Sequence, residues 1–514
     1  MEGRRRRRRP HLARGLCWLY DAPTALFDAN YMRNEMAEQT ENKPKTCIIC
    51  GGPAGSREHP FPAIMGGRRM NKGIYCDTHN QGFGALVAVL GKQFEMLNAM
   101  LMVRPDRRDA PKPAPLTAED GSGYELAGTK LSMPKPPNLS TMGLKKGDKV
   151  TVSVSDRKQF AEWQKAQKKQ GWEAQFSGEG IPGRTYVLAP LNARLNFGGI
   201  EAFQAIAYLA LTYFAQYFPV EARDADRQAL KDRLALDLNT TTGSAAWNAL
   251  PPCAWWEKDN FDDLLSANPF PFGHTIAVGV SKEDKNAYAF FSFFSTFTYG
   301  VDLGPVQSGI AGMHTVYINP LAESPPDDIK EIFTPNFSLK LKHDADTLKE
   351  SLSSGRSGEL ANKLMRAINE KNNEMILADI ETALATLSAS SPNSVAESLV
   401  DKFDQGILFS LARVSSEMGA HLAETFPAKA DEILRLFGSI VQGDDTQPDK
   451  LAKITSAHLA LAKAAIAEAI GAELKMPITS ETSGKIRLLL TEGPGMAKIG
   501  EKVLTPLLFQ ALGI

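Results

Sequence analysis

Residues 47–84 read CIICGGPAGSREHPFPAIMGGRRMNKGIYCDTHNQGFG, and two knuckles in this stretch constrain the fold more than any other part of the chain. Cys47 and Cys50 form a C-x2-C pair, and Cys76 and His79 form a C-x2-H pair. Thiolate and imidazole groups with that spacing on a tight turn can reach one tetrahedral ion, and two such pairs close a structural zinc site. So small a segment buries too little apolar surface to fold alone, so the metal is expected to supply folding free energy. The other cysteines, Cys17 and Cys253, stand apart from this window. Disulfides are the alternative, and a long chain with few cysteines and no secretory signal disfavours them.

Between the knuckles lie Glu58-His59-Pro60-Phe61-Pro62, Gly66-Gly67 and Asn71, and Asn80 follows the second pair. This ordered set resembles the zinc-stapled branch of the HNH endonuclease family. There a C-x2-C knuckle precedes an acid–His dipeptide, a Gly-Gly hairpin, an Asn and a second knuckle followed by His or Asn. The likeness covers about 45 residues. It implies a ββα-metal fold, in which a hairpin carries the histidine and a helix packs behind it. The local sequence agrees with that expectation. Gly66-Gly67 suit a turn, Gly73-Ile74-Tyr75 reads as a short return strand, and a helical pattern starts near Asn80. From Ala85 to Met102 the apolar residues Leu86, Val89, Leu90, Phe94, Leu97 and Leu101 recur at helical spacing.

The chemistry that the resemblance implies is phosphodiester hydrolysis of nucleic acid, with DNA ahead of RNA. An imidazole titrates in the range needed to take a proton from water, and His59 is the expected base. By the same likeness, Glu58 and Asn80 would hold a catalytic divalent ion such as Mg2+, which stabilises charge on the phosphate. Asn71 would hold the His59 imidazole in its productive tautomer. The structural Zn2+ on Cys47, Cys50, Cys76 and His79 is a separate ion. The pattern departs from the family in two places. Its final histidine is Asn80, a weaker neutral ligand. One helical turn on, at positions sharing a helix face, Phe83 and Gly84 offer no ligand atom. The structural alternative for His59 is a capping residue that orders the hairpin.

Two further readings belong to other classes. Zinc-stapled hairpins also read nucleic acid without cutting it, and Arg57, Arg68, Arg69 and Lys72 could contact phosphates. His59 discriminates, because an enzyme loses hydrolysis without it while a binder keeps its affinity. In the third reading the head is silent and the C-terminal helices sense a ligand or partner, as a regulator would. A bacterial defence or mobile-element nuclease is the setting the resemblance implies.

Elsewhere the chain reads as α+β overall. With 58 Lys+Arg against 59 Asp+Glu it is not coated in basic charge, although a local phosphate-binding patch remains compatible. No apolar run reaches a membrane span, so a cytoplasmic protein without membrane contact is expected. Residues 1–35 include the run Arg4 to Arg9; Met32 and Met36 are alternative starts, and this segment is expected to be poorly ordered. The zinc-stapled head is placed at 36–102, a linker rich in Pro and charge at 103–143, an α+β unit at 144–345 and a helical region at 346–514.

Within the α+β unit, KVTVSVS (149–155) alternates like a strand and residues 156–171 read as an amphipathic helix. Residues 200–218 form a strongly apolar helix. Three extended segments, HTIAVGVS, NAYAFFSFFSTFTYGVDLG and MHTVYINP, are expected to make an antiparallel sheet packed on it. Phe290, Phe291, Phe293, Phe294, Phe297 and Tyr299 are read as core, since no Arg or Lys interleaves them as a base-stacking platform needs. His274 and His314 are read as ordinary polar residues at strand starts. Helices over 358–387, 393–413, 416–440 and 449–473 are expected to form a bundle, available for dimerisation or a regulatory partner.

Overall fold

Before any regular element begins, the backbone closes a tight loop around the first cysteine pair. Cys47 N donates to Gly52 O (2.6 Å) and Gly51 N to Cys47 O (2.9 Å). The computed structural model describes residues 46–106, 111–118, 123–128, 130–145, 148–150, 152, 157–173, 191–192, 197–239, 253–257, 267–323, 327–339, 357–386, 390–440, 448–479 and 481–514. The arginine run, Cys17 and most of the strand expected at 149–155 lie outside these residues.

A two-stranded antiparallel ladder follows the knuckle, with β1 (Arg57–Glu58) paired to β2 (Asn71–Lys72). The return strand therefore sits ahead of the segment Gly73-Ile74-Tyr75. Gly73, at φ 97°, ends the pairing, and Ile74 and Tyr75 turn into the core instead. The connection is a single 3-10 turn closed by Gly66 at φ 91°. Both glycines there are needed. A Cβ on Gly67 would lie 2.1 Å from Phe61 O, and one on Gly66 would lie 2.8 Å from Pro320 Cα.

Helix α1 (Asp77–Gln93) begins at the second knuckle, a little ahead of the expected start, and breaks at Phe94 before α2 (Glu95–Met100). Next come β3 (Ala114–Ala118), β4 (Gly123–Ala127) and β5 (Lys130–Ser132), then α3 (Arg157–Lys168) and β6 (Leu191–Asn192). Strands β3 to β6 make a four-stranded sheet in the order β5-β4-β3-β6. Part of the expected linker is thus structured. Ala114, Leu116 and Ala118 are buried in alternation, a period of two hidden by the surrounding prolines.

Helix α4 (Ile200–Tyr217) is buried along nearly its whole length, as its apolar sequence requires. After α5 (Gln228–Asn239) the chain builds β7 (Ala254–Trp256), β8 (His274–Val280), β9 (Asn286–Phe293), β10 (Phe297–Pro305), β11 (Gly312–Ile318) and β12 (Ile329–Pro335). They form one antiparallel sheet in the order β12-β11-β8-β9-β10-β7, packed on α4. The three expected segments supply its middle. The long aromatic one is itself a hairpin, turning at Phe294 and Ser295 with positive φ, and all six aromatics named above are buried.

Helices α6 (Ser357–Leu384), α7 (Pro392–Lys402), α8 (Asp404–Thr425), α9 (Ala430–Ser439), α10 (Pro448–Lys475), α11 (Thr482–Thr491), α12 (Gly493–Ile499) and α13 (Thr505–Leu512) complete the chain. The fold is mixed α+β, and among the described residues no helix is long and apolar enough to cross a membrane.

Two large apolar clusters organise these elements. One runs continuously from Cys47 and Ile48 through Tyr75 and α1 into α4 and the six-stranded sheet, and takes in Ala361, Leu364 and Ile368 of α6. The other is made by the helices that follow, starting with Ile380 near the end of α6. Apolar packing therefore anchors the knuckled segment to the rest of the chain. Phe94, at the break after α1, packs within 5.1–5.7 Å of the rings of Phe197, Phe293, Phe294 and Phe297.

Candidate functional site

The knuckle loop and the first turn of α1 bring the four predicted ligands to one point. The ligand atoms of Cys47, Cys50, Cys76 and His79 all lie within 4.8 Å of one another. Zinc–thiolate bonds of about 2.3 Å in a tetrahedron separate two sulfurs by about 3.8 Å. Cys50 Sγ and Cys76 Sγ are 3.9 Å apart, and His79 Nδ1 is 3.1 Å from Cys76 Sγ and 3.5 Å from Cys47 Sγ. Burial lowers the pKa of His79, which favours the neutral imidazole that a metal needs. The group can hold a metal such as zinc. Arg223 braces it from behind, donating from Nη2 to Thr46 O (2.7 Å) and to Gly73 O (3.1 Å), the backbone leading into each knuckle.

The ladder presents Glu58 and His59 on the other side. Glu58 is only 4 % exposed, and neither carboxylate oxygen has a hydrogen-bond partner. Burial pushes its pKa up to about 8. An orphaned buried carboxylate of this kind either keeps its proton near neutrality or takes a cation. Asn80, in the first turns of α1, donates from Nδ2 to Ser56 Oγ (2.6 Å) and to Arg57 O (3.2 Å). That leaves its Oδ1 as the atom able to meet a cation. Both residues line a cavity of about 700 Å³, with His59 beside them and α1 as one wall. Carboxylate and amide oxygens are donors of the kind that hard divalent ions take.

Asn71 faces Glu58 across the ladder, and its Oδ1 accepts from Lys72 N (2.6 Å). The imidazole has a different partner. His59 Nε2 lies 2.9 Å from Asp106 Oδ2. Asp106 arrives after α2, where Met102 takes φ 59° and Val103 N bonds back to Asn98 O (2.9 Å), turning the chain toward the site. Nothing in the sequence marks this residue, because it lies in the charged stretch expected to be an exposed connection. A carboxylate accepts, so the proton of this contact is carried by Nε2 of the imidazole.

The basic residues are divided in their roles. Arg68 donates to Ala322 O, and Arg69 sits 3.9 Å from Asp328 and 3.8 Å from Glu331, so they tie the turn to the β11–β12 connection and to β12. Arg57 and Lys92 line the cavity and are exposed, whereas Lys112 pairs with Glu95.

The histidines of the sheet are structural. His274 Nδ1 accepts from Phe294 N (3.1 Å), and its ring lies 4.9 Å from that of Phe61, two residues beyond His59. His314 stacks on Tyr217 at 4.4 Å. Compared with family models, with curated proteins and with solved structures, the chain finds no match.

Proposed function

We propose that the chain is a divalent-metal-dependent nuclease of the HNH type, with a zinc-stapled ββα-metal head, an α+β companion region and a C-terminal helical bundle. The observation that carries this reading is the convergence of a buried, unpartnered Glu58 carboxylate, the His59–Asp106 pair and Asn80 at one cavity.

Glu58 and Asn80 would hold the divalent ion, Mg2+ in the first instance, which when bound neutralises charge developing on the phosphate. His59 is the base, taking a proton from water at Nδ1 while Nε2–H donates to Asp106. The zinc ligands hold the ladder and the start of α1 in register and take no part in the chemistry. Nucleic acid is the partner, with DNA ahead of RNA, and the helical bundle is the place for a regulator or a second copy. A cytoplasmic bacterial defence or mobile-element role fits this reading.

The test is Mg2+-dependent cleavage of DNA and RNA by the full chain, wild type against His59→Ala at equal zinc content. Loss of about 10²–10⁴-fold in rate is expected for the variant. Equal cleavage by both proteins would remove His59 as the base. Binding without cleavage by either would favour the nucleic-acid-binding reading.

A further inference from the structure

Gly84 occupies the position, one turn beyond Asn80, where the resemblance leads one to look for a further ligand. A Cβ placed on it would meet nothing within 4 Å. With Ala88 it leaves one face of α1 open, while Ile64 and Val87 close the cavity with apolar surface. The buried carboxylate of Glu58 lines the same space.

A site that only grips phosphates needs cations and amides, and here Ile64 and Val87 add apolar surface to a lining that also carries Arg57, Lys92, Lys112 and Glu95. We propose that this cavity receives an unpaired nucleobase adjoining the phosphate to be cut, so that the substrate is a single-stranded or locally unpaired polynucleotide rather than continuous duplex. The inference rests on the nuclease reading of Glu58 and His59. Bases in a duplex are stacked on both faces and paired at their edges, so one reaches a recess only when it is unpaired or flipped out. The volume, about 700 Å³, lies in the range of pockets that enclose small organic groups. Arg57 and Lys92 at the rim supply positive charge for the flanking phosphates.

The test is fluorescence anisotropy of the zinc-loaded full chain, without Mg2+, on a labelled single strand and on the duplex of the same sequence. Gly84→Phe places a ring in the cavity, Ala88→Leu intrudes less, and Ala85→Phe adds bulk at an exposed position of α1 outside the cavity. The expected result is tighter binding of the single strand than of the duplex. Gly84→Phe should weaken single-strand binding about tenfold at unchanged zinc content and melting temperature, with Ala85→Phe like wild type. If Gly84→Phe does not fold, Ala88→Leu decides in the same direction. Duplex binding as tight as single-strand binding, or normal single-strand binding by the filled variants, overturns the proposal. Because the readout is binding, it is separable from the nuclease reading. A chain that never cleaves yet loses single-strand binding on Gly84→Phe refutes the enzyme and keeps the pocket.

Discussion

The two apolar cores of this molecule are built from different kinds of element. The first is held by contacts between residues far apart in the chain. Tyr75 bonds Thr212 through their hydroxyls at 2.9 Å, Phe94 enters the aromatic sheet, and Phe61 rests on His274. The second is a set of helices, each contributing an apolar stripe, with Ile407, Leu411, Ile433, Ile466 and Ile470 among its buried residues. Among the described residues the Cys/His cluster lies in the first region. The difference teaches where chemistry can be built. Long-range packing can bury a carboxylate such as Glu58 away from partners and hold it there, at a cost the surrounding core offsets. The helical core also joins distant segments, from Ile380 to Ala511, but does so through the apolar stripes of its helices.

Removing the metal should sharpen the contrast most. Structural zinc supplies about 10–16 kcal/mol of apparent binding free energy to isolated fingers. Chelation here should lower the unfolding transition of the first region by less than that, since Tyr75 and Phe94 still anchor it, and should leave the helical region's transition in place. Differential scanning calorimetry with and without chelator checks this; an unchanged profile would mean that the four ligands hold no metal.

Core truncations test the separateness of the two cores. Phe94→Ala should cost about 3–5 kcal/mol and Leu411→Ala about 2–5 kcal/mol. Each loss should register only in its own transition, read by near-ultraviolet circular dichroism for the aromatic core and by far-ultraviolet signal for the helices. A single shared transition for both variants would break the comparison, and the place to look would be α6, which enters both clusters.

A smaller effect concerns Asp106. On the proposed nuclease reading, Asp106→Asn should lower the cleavage rate by about ten- to a hundredfold with little change in KM, since Asp106 would act only through the imidazole of His59. Asp106→Glu should recover part of the rate, and nitrogen-15 spectra of the imidazole should lose the Nε2–H form in the Asn variant. Unchanged rate and tautomer would leave Asp106 without a positioning role.

A further contrast concerns pH. Burial lowers the pKa of His274 to about 3 from an ordinary value near 6.5. The unfolded chain therefore binds the proton first as the medium is acidified. Stability contributed by the neutral ring is complete above pH 6.5 and falls as pH drops toward 3, by up to about 1.4 kcal/mol per pH unit. Between pH 7 and pH 5 His314, lowered to about 4, adds a slope of the same sign, and Glu58, raised to about 8, one of the opposite sign. Urea denaturation should therefore show His274→Gln reducing the acid sensitivity of the first region by its own share. An equal slope in wild type and variant would locate the acid sensitivity elsewhere.

Much of the candidate site was legible because it is local. The four ligands follow from spacing on two tight turns, and Gly66-Gly67 mark a turn that no side chain could occupy. Other parts were not legible. The strand Ala114–Ala118 hides its alternation among prolines. The pairing of Asn71 with Glu58 moves the return strand ahead of Ile74, whose β-branched side chain and neighbour Tyr75 suit a strand but are taken up by the core.

By itself, then, the sequence determined the metal-type cluster, the buried helix at 200–217, the burial of the aromatic hairpin and the helical character of the C-terminal region. Each of these depends on spacing or periodicity over a few turns of chain. Only the tertiary structure decided that Asp106 meets His59, that Glu58 is left without a partner, and that Gly84 opens a cavity beside them. Those outcomes depend on which segments close over one another across tens to hundreds of residues. Desolvation and hydrogen-bond pairing are properties of that closure, and no local pattern encodes them.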